Sequence, residues 1–221
     1  MPIVEFEFCS LHYLNQWLGN ERAVCEAMES DDRTIRLEAI SNAAKFFKVA
    51  RNLPLVYESG EGRYTSVLRL LDHVSVPAVI EKGCVSSVEM LRNKISKAYG
   101  DREVLSFASK ILWVKIKSPI IIYDKQVRQA LGTDDGDYCE YCRKWLEAYS
   151  GHEMAIGNAC GSLHKMRQYC LDPTVATERY ISVIATQDWF RHRVFDIYLW
   201  HGGDAQPGSQ PRSLRSLDAA R

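Results

Sequence analysis

The chain has 221 residues, 46% of them apolar, with 28 basic against 28 acidic side chains. This composition is that of a globular protein with one substantial core, and its neutral balance argues against non-specific binding of nucleic acid by the whole surface. Because no run of about 18 apolar residues is present and the first residues lack the regions of a signal peptide, we expect a cytoplasmic protein without membrane contact.

Apolar residues at helical spacing dominate the chain, and strong strand signals are absent. The sequence therefore predicts an all-α fold, with two small helical subdomains flanking a cleft. In chain order, helices are predicted around 11–18, from Asp32 to before Pro54, over 64–74, from a capping box of Ser86 and Glu89 to Gly100, around Lys110, after Asp124 to Gly132, and over 138–149, 154–169, 174–185 and 187–200.

Loops are predicted between Pro54 and Gly62 and over 77–83. The stretch 204–221 is rich in Gly, Pro, Ser, Gln and Arg, which predicts a disordered tail after a single domain over 1–203.

Two residues in the middle of the chain form a candidate catalytic pair. Lys110 is followed by Ile111-Leu-Trp-Val114, so apolar neighbours would disfavour its protonated form, and a neutral lysine is a nucleophile. Asp124 follows the run Ile120-Ile-Ile-Tyr123 and is predicted to cap the next helix. A chain reversal at Ser118-Pro119 would bring the two side chains together. The alternative interpretation is a solvated or snorkelling lysine and an aspartate that acts only as a cap.

These segments resemble parts of a known family. Ser106-Phe-Ala-Ser-Lys110 resembles the hairpin and lysine of the helix-hairpin-helix DNA glycosylases, and Ile122-Tyr-Asp-Lys-Gln-Val127 resembles the segment that carries their aspartate. The stretch 189–200 resembles the last helix of the short 8-oxoguanine glycosylase-like proteins of bacterial antiphage defence clusters. The hairpin here has Ser106 and Ala108 where the family has glycines, so it is a divergent one.

The resemblance implies a helix-hairpin-helix over about 86–131 and a DNA N-glycosylase with lyase activity. Lys110 would attack the sugar of an oxidised or modified purine and form an imine, while Asp124 stabilises the positive charge on the sugar. No cofactor and no metal are implied. The implied partners are DNA or a nucleotide, together with proteins of a defence operon.

Further residues are candidates for substrate contacts. The sequence between Ser86 and Ala130 has nine Lys or Arg against four Asp or Glu, as expected of a phosphate-facing patch or of solvated helix faces. Contacts with the DNA backbone are assigned to Ser106, Ser109, Lys115, Lys125 and Arg128. Stacking on an extruded base is assigned to Phe107, Trp189 and Phe195, with Trp200 as a further candidate, and recognition of a base edge or phosphate to His192 and Arg193. Each of these side chains has a core or surface role as its alternative.

Seven cysteines without disulfide-framework spacing agree with a reducing compartment. Cys139 and Cys142 with Cys160 and either Cys170 or His164 form a set that zinc could use, and the alternative is that they pack as small apolar groups.

Two other functions remain open. The same fold could use Lys110 on a nucleotide, a free modified base or a protein, or the chain could be a catalytically silent helical interaction module.

Overall fold

The computed structural model describes residues 5–54, 62–74, 80–203 and 205. Every regular element within these ranges is a helix, and no strand occurs in them, so the predicted all-α class is confirmed. The predicted loop between Pro54 and Gly62 lies outside the described residues at 55–61, as does the predicted tail apart from Ala205. None of the helices in the described ranges is long and apolar enough to cross a membrane.

The described α-helices are α1 (Phe6–Gln16), α2 (Arg22–Met28), α3 (Arg33–Phe46), α4 (Thr65–Asp72), α5 (Ile80–Ala98), α6 (Leu105–Ile116), α7 (Lys125–Leu131), α8 (Tyr138–Ser162), α9 (Glu178–Ile184) and α10 (Asp188–Trp200). A π-helical turn at Trp17–Glu21 separates α1 from α2. Two 3₁₀ segments occupy Ala50–Asn52 and Leu163–Tyr169.

Several helix ends lie where the sequence predicts them. The Asp32 carboxylate accepts a hydrogen bond of 2.7 Å from the Thr34 amide and so caps α3. Gly100 and Gly132 follow α5 and α7 with φ of 78° and 62°, a backbone conformation that favours glycine and terminates a helix.

Other helix boundaries differ from the prediction. Helix α5 begins at Ile80, so Ser86 and Glu89 lie inside it and do not form a capping box at its start. Helix α8 continues through the predicted break at 150–153, and the last part of the predicted helix 154–169 is a 3₁₀ segment. Helix α9 begins only at Glu178, because Thr177 caps it by accepting from the Tyr180 amide at 3.1 Å.

The chain divides into two compact units, each discontinuous in sequence. We call Gln16–Asp124 with Gly136–Cys142 the lysine unit, and the described residues within Met1–Asn15, Lys125–Asp135 and Arg143–Arg221 the terminal unit. The cleft between subdomains, the helix-hairpin-helix and the single domain over 1–203 remain predictions.

The core of the lysine unit is built around α6. Between Leu105 and Val114 every residue of this helix except Ser106 is buried, as expected of a helix that is apolar on all faces. Helices α2, α3 and α5 pack against it. Lys110 therefore belongs to the central helix of its unit.

The core of the terminal unit is built around α10, whose buried side chains include Phe190, Val194 and Phe195. Helix α7 packs against α10. The Asp196 carboxylate accepts hydrogen bonds of 2.8 Å from both the Trp145 indole and the Arg193 guanidinium, so each of these buried polar groups has a partner.

Candidate active site

Lys110 and Asp124 are brought together in the lysine unit. The Lys110 Nζ lies 3.2 Å from the Asp124 Oδ2, and the lysine side chain is 7% exposed against 30% for the aspartate. The amine therefore projects from a buried position towards a carboxylate that reaches solvent. Asp124 directly precedes α7, which is the position that the sequence predicts for it.

The apolar surroundings of the amine are also visible. The Phe47 ring centroid lies 6.0 Å from the Lys110 Nζ, at the limit of a cation–π contact. Burial disfavours the charged lysine, whereas the Asp124 carboxylate and the face of the Phe47 ring favour it. Burial and these two contacts therefore act on the charge of the amine in opposite directions.

Two serines of α6 hold the backbone next to Asp124. Ser106 Oγ donates to the Tyr123 carbonyl at 3.2 Å, and the Tyr123 amide donates to Ser109 Oγ at 3.0 Å. Ser106 Oγ also accepts a hydrogen bond of 3.0 Å from the Lys110 Nζ. We call Ser106 and Ser109, with the Tyr123 backbone that they bind, the serine clamp.

The segment before Asp124 is buried although it is neither helix nor strand. Ile120, Ile121, Ile122 and Tyr123 are each at most 6% exposed. A buried backbone outside regular structure needs hydrogen-bond partners from side chains. Tyr138 Oη donates to the Ile121 carbonyl at 2.7 Å, and Tyr141 Oη donates to the Ile122 carbonyl at 2.8 Å. Together with the serine clamp, these tyrosines fix the backbone of the segment that directly precedes Asp124.

The start of α6 carries a negative charge. The Leu105 amide donates to the Glu103 carboxylate at 2.8 Å, and Arg92 holds the other carboxylate oxygen. Helix N-termini are places where anions bind, and here a carboxylate of the chain occupies that place. The hydroxyls of Ser106 and Ser109, which the sequence assigns to contacts with a DNA backbone, are also already bound within the chain, and Ser109 is fully buried.

The other predicted residues of the lysine unit, Phe107 and Lys115, make contacts within the chain. Phe107 is fully buried and stacks parallel to the Tyr64 ring at 6.4 Å, which leaves it no free face for a base in this structure. Lys115 donates to the Leu71 carbonyl, and burial lowers the pKa of this lysine despite the nearby Asp72.

The remaining predicted residues lie in the terminal unit. Lys125 is exposed, and Arg128 forms an ion pair of 3.7 Å with Asp135. Phe195 is fully buried, and Arg193 is 7% exposed and bound to Asp196, so both are core residues and not free recognition groups.

Three further aromatic candidates of the terminal unit keep some exposure. Trp189 is half-buried beside Tyr13, and Trp200 is 49% exposed. His192 lies against the rings of Trp145 and Tyr149, and burial lowers its pKa to about 4.

The cysteines do not form a metal site in the described residues. No disulfide bond involves the described cysteines Cys9, Cys25, Cys139, Cys142, Cys160 and Cys170, and no group of three or more potential ligands that could hold a metal occurs in the described ranges. The zinc set considered from the sequence is therefore not assembled there. Burial raises the pKa of Cys160 to about 12, which suits a thiol packed as a small apolar group.

Sequence reasoning assigned Ser106 and Ser109 to the DNA backbone and not to the support of the pair, and it did not single out Tyr138 and Tyr141. Ser106 precedes Lys110 by four residues, a spacing that puts two side chains on one helical face and would have indicated their contact. Tyr138 and Tyr141 are three residues apart and share a face for the same reason. Their partners, the carbonyls of Ile121 and Ile122, are main-chain groups, and so no side-chain pattern indicates them.

Comparison with family models, with curated proteins and with solved structures finds no match to this chain.

Proposed function

We propose that the chain is an N-glycosylase with lyase activity that excises an oxidised or modified purine through an imine on Lys110. The observation that carries the proposal is the contact of 3.2 Å between the Lys110 amine and the Asp124 carboxylate, with the lysine buried and the carboxylate partly exposed. A buried lysine beside an accessible carboxylate combines a nucleophile with a group that stabilises a developing cation.

Each residue has a distinct task in this reaction. The lone pair of the Lys110 amine forms a bond to the anomeric carbon as the bond to the base breaks, and the base leaves with the electron pair. The Asp124 carboxylate stabilises the positive charge that builds on the sugar. One amine proton passes to the departing base and the other to the ring oxygen as the C1′–O4′ bond breaks, which gives the imine. Loss of a C2′ proton to solvent, with departure of the 3′ phosphate and the electron pair of its bond to C3′, then cuts the strand, and water adds to the imine and releases Lys110.

Borohydride trapping tests the proposal, because reduction makes the imine permanent. We expect the wild-type chain to become covalently attached to a duplex that contains 8-oxoguanine or an abasic site, and Lys110→Gln to lose the adduct on both. Lys45→Gln is the matched control, since Lys45 is an exposed lysine of α3 in the same unit and no described hydrogen bond or ion pair joins it to either residue of the pair. It should trap as well as the wild type.

Equal trapping by wild type and Lys110→Gln would refute the proposed role of the lysine. Absence of any adduct and of any base release, with both variants folded, would favour a silent interaction module in which the ion pair only stabilises the core. A role in antiphage defence is part of the proposal and is tested by whether Lys110→Gln removes protection from phage in cells that carry the neighbouring genes.

A second candidate substrate is a nucleotide or a free modified base, and the Glu103 carboxylate at the start of α6 favours it. That carboxylate, paired with Arg92, binds the Leu105 amide next to the hairpin to which the resemblance assigns a DNA phosphate, and the serine hydroxyls nearby are already bound. Base release from a modified nucleoside at a rate equal to that from duplex DNA would support the smaller substrate. Release only from duplex DNA would exclude it.

A further inference from the structure

The Ser106 hydroxyl links three parts of the candidate site. It lies one helical turn before Lys110 on α6, accepts from the lysine amine at 3.0 Å and donates to the Tyr123 carbonyl at 3.2 Å. A hydroxyl has only one hydrogen to donate. Because that hydrogen is used on Tyr123, Ser106 meets the lysine amine as an acceptor.

We infer that Ser106 is a positioning residue that sets the direction of the Lys110 lone pair. The inference rests on the proposed role of Lys110 as the nucleophile. A neutral amine has two hydrogens and one lone pair. Among the described residues, Asp124 Oδ2 and Ser106 Oγ accept from this amine at 3.2 and 3.0 Å. A hydrogen held by an acceptor keeps the lone pair from pointing towards that acceptor, so Ser106 restricts the direction of the lone pair.

Ser106 also ties this orientation to the position of the carboxylate. Its hydrogen bond to Tyr123 holds the residue that directly precedes Asp124. A displacement of the chain at Asp124 therefore also displaces the hydroxyl that binds the amine. Ser106 in this way couples the position of the Lys110 amine to the position of the Asp124 carboxylate.

Ser109 provides a matched comparison within the serine clamp. It binds the amide of the same Tyr123 at 3.0 Å and the Ser106 carbonyl at 3.4 Å, and no hydrogen bond joins it to the Lys110 side chain among those that the structure describes. Removing the Ser109 hydroxyl loosens the same backbone and leaves the acceptor for the amine in place. Comparing variants of the two serines therefore distinguishes an effect on the Tyr123 backbone from an effect on the orientation of the Lys110 amine.

Reductive methylation tests the inference without any nucleic acid. Formaldehyde condenses with a neutral amine, releasing water and giving an imine, and cyanoborohydride then supplies a hydride that converts the imine to methyl-lysine. The rate of methylation at Lys110, followed by peptide mass spectrometry over a range of pH, reports both the fraction of neutral amine and its reactivity once neutral. Exposed Lys45 in the same sample is the internal reference.

We expect Ser106→Ala to change both quantities. Loss of an acceptor for the ammonium favours the neutral amine, so the pH midpoint of methylation at Lys110 should fall by about 0.5 to 1 unit. Loss of orientation should lower the plateau rate at high pH by about fivefold, the equivalent of one net hydrogen bond. Ser106→Thr keeps the hydroxyl and should restore both values. Ser109→Ala should leave the midpoint at the wild-type value.

Circular dichroism and thermal unfolding establish that each variant is folded, and Ser106→Cys, whose thiol is a weak acceptor, carries the test if Ser106→Ala is not folded. An unchanged midpoint in folded Ser106→Ala, or a threonine variant that behaves like the alanine variant, would overturn the inference. Absence of methylation at Lys110 in the wild type at every pH would overturn both this inference and the proposed nucleophile. A dependence on Ser106 without any adduct to DNA would overturn only the proposed substrate.

Discussion

At the scale of single residues, Asp124 is the group that can separate base release from imine formation. In the proposed reaction its carboxylate is needed while charge builds on the sugar, whereas an abasic site already offers an aldehyde to the amine. Asp124→Asn should therefore slow release of a damaged base by about 10²–10³, the usual cost of losing one stabilising group in a transition state. Borohydride trapping of a preformed abasic site should persist in this variant.

With Asp124→Asn, the reaction on the preformed abasic site is the control for the reaction on the damaged base. If Asp124→Asn loses both reactions to the same extent, the carboxylate only holds the lysine in place. If it loses neither, Asp124 has no part in the chemistry.

The sequence alone predicts the pair but not its environment. The apolar neighbours of Lys110 and the apolar run before Asp124 can be read from the amino-acid sequence, and the structure brings the two side chains within 3.2 Å. The partner role of Ser106 depends on a main-chain carbonyl brought close by the fold, and the burial of Phe107 and Phe195 depends on packing partners far away in sequence. Periodicity does not distinguish such core aromatics from ligand-binding ones.

At the scale of elements, the buried segment Ile120–Tyr123 shows how a chain without regular structure is held. The Tyr141 hydroxyl donates to the Ile122 carbonyl at 2.8 Å, and both residues are buried. Tyr141→Phe would leave that carbonyl without this donor and should lower the free energy of unfolding by about 1–3 kcal/mol. Denaturation in guanidinium chloride measures the change.

Tyr169→Phe is the matched control for Tyr141→Phe. It removes the same atom from a side chain that is 63% exposed, and its effect should lie within about 0.5 kcal/mol of zero. Equal losses in the two variants would contradict the assigned role of the Tyr141 hydroxyl. A slower formation of the abasic-site adduct in Tyr141→Phe would further connect this segment to the placement of Asp124.

Helix positions are predicted better than helix ends, for reasons visible in particular elements. Helix α3 begins at a capped Asp32 because the cap is a local contact. Helix α8 runs through Gly151 although glycine costs a helix about 1 kcal/mol relative to alanine. Buried Tyr149 lies before this glycine and buried Ile156 after it, so packing on both sides offsets the cost. Such packing is not visible in a local pattern.

At the scale of the whole molecule, the division into two units is the feature that sequence patterns miss. The terminal unit takes residues from three separate stretches of the chain, and α8 contributes residues to both units. Local periodicity assigns helices but does not say which of them share a core. The all-α class follows from the spacing of apolar residues, whereas the grouping of helices into two units follows from contacts between residues that are distant in sequence.

The stability of the molecule should fall in acid because of His192. Burial lowers the pKa of this histidine from 6.5 to about 4, although Asp188 opposes the shift, and the Nδ1 atom is buried without a hydrogen-bond partner in the described residues. The unfolded chain therefore binds a proton near pH 6.5, while the folded chain resists it until about pH 4. Since the unfolded state binds more protons in that window, stability is present above pH 6.5 and is lost as the pH falls towards 4.

A depression of this size corresponds to at most about 3 kcal/mol of lost stability between pH 6.5 and 4. His12, whose pKa burial and the neighbouring His201 also lower, contributes in the same direction. Denaturant unfolding at pH 7 and at pH 4.5 gives the loss for wild type and for His192→Phe, in which a ring remains against Trp145 and Tyr149 but no longer titrates. We expect the variant to lose less stability on acidification than the wild type. The same loss in both proteins would show that carboxylates elsewhere, and not the buried imidazole, govern unfolding in acid.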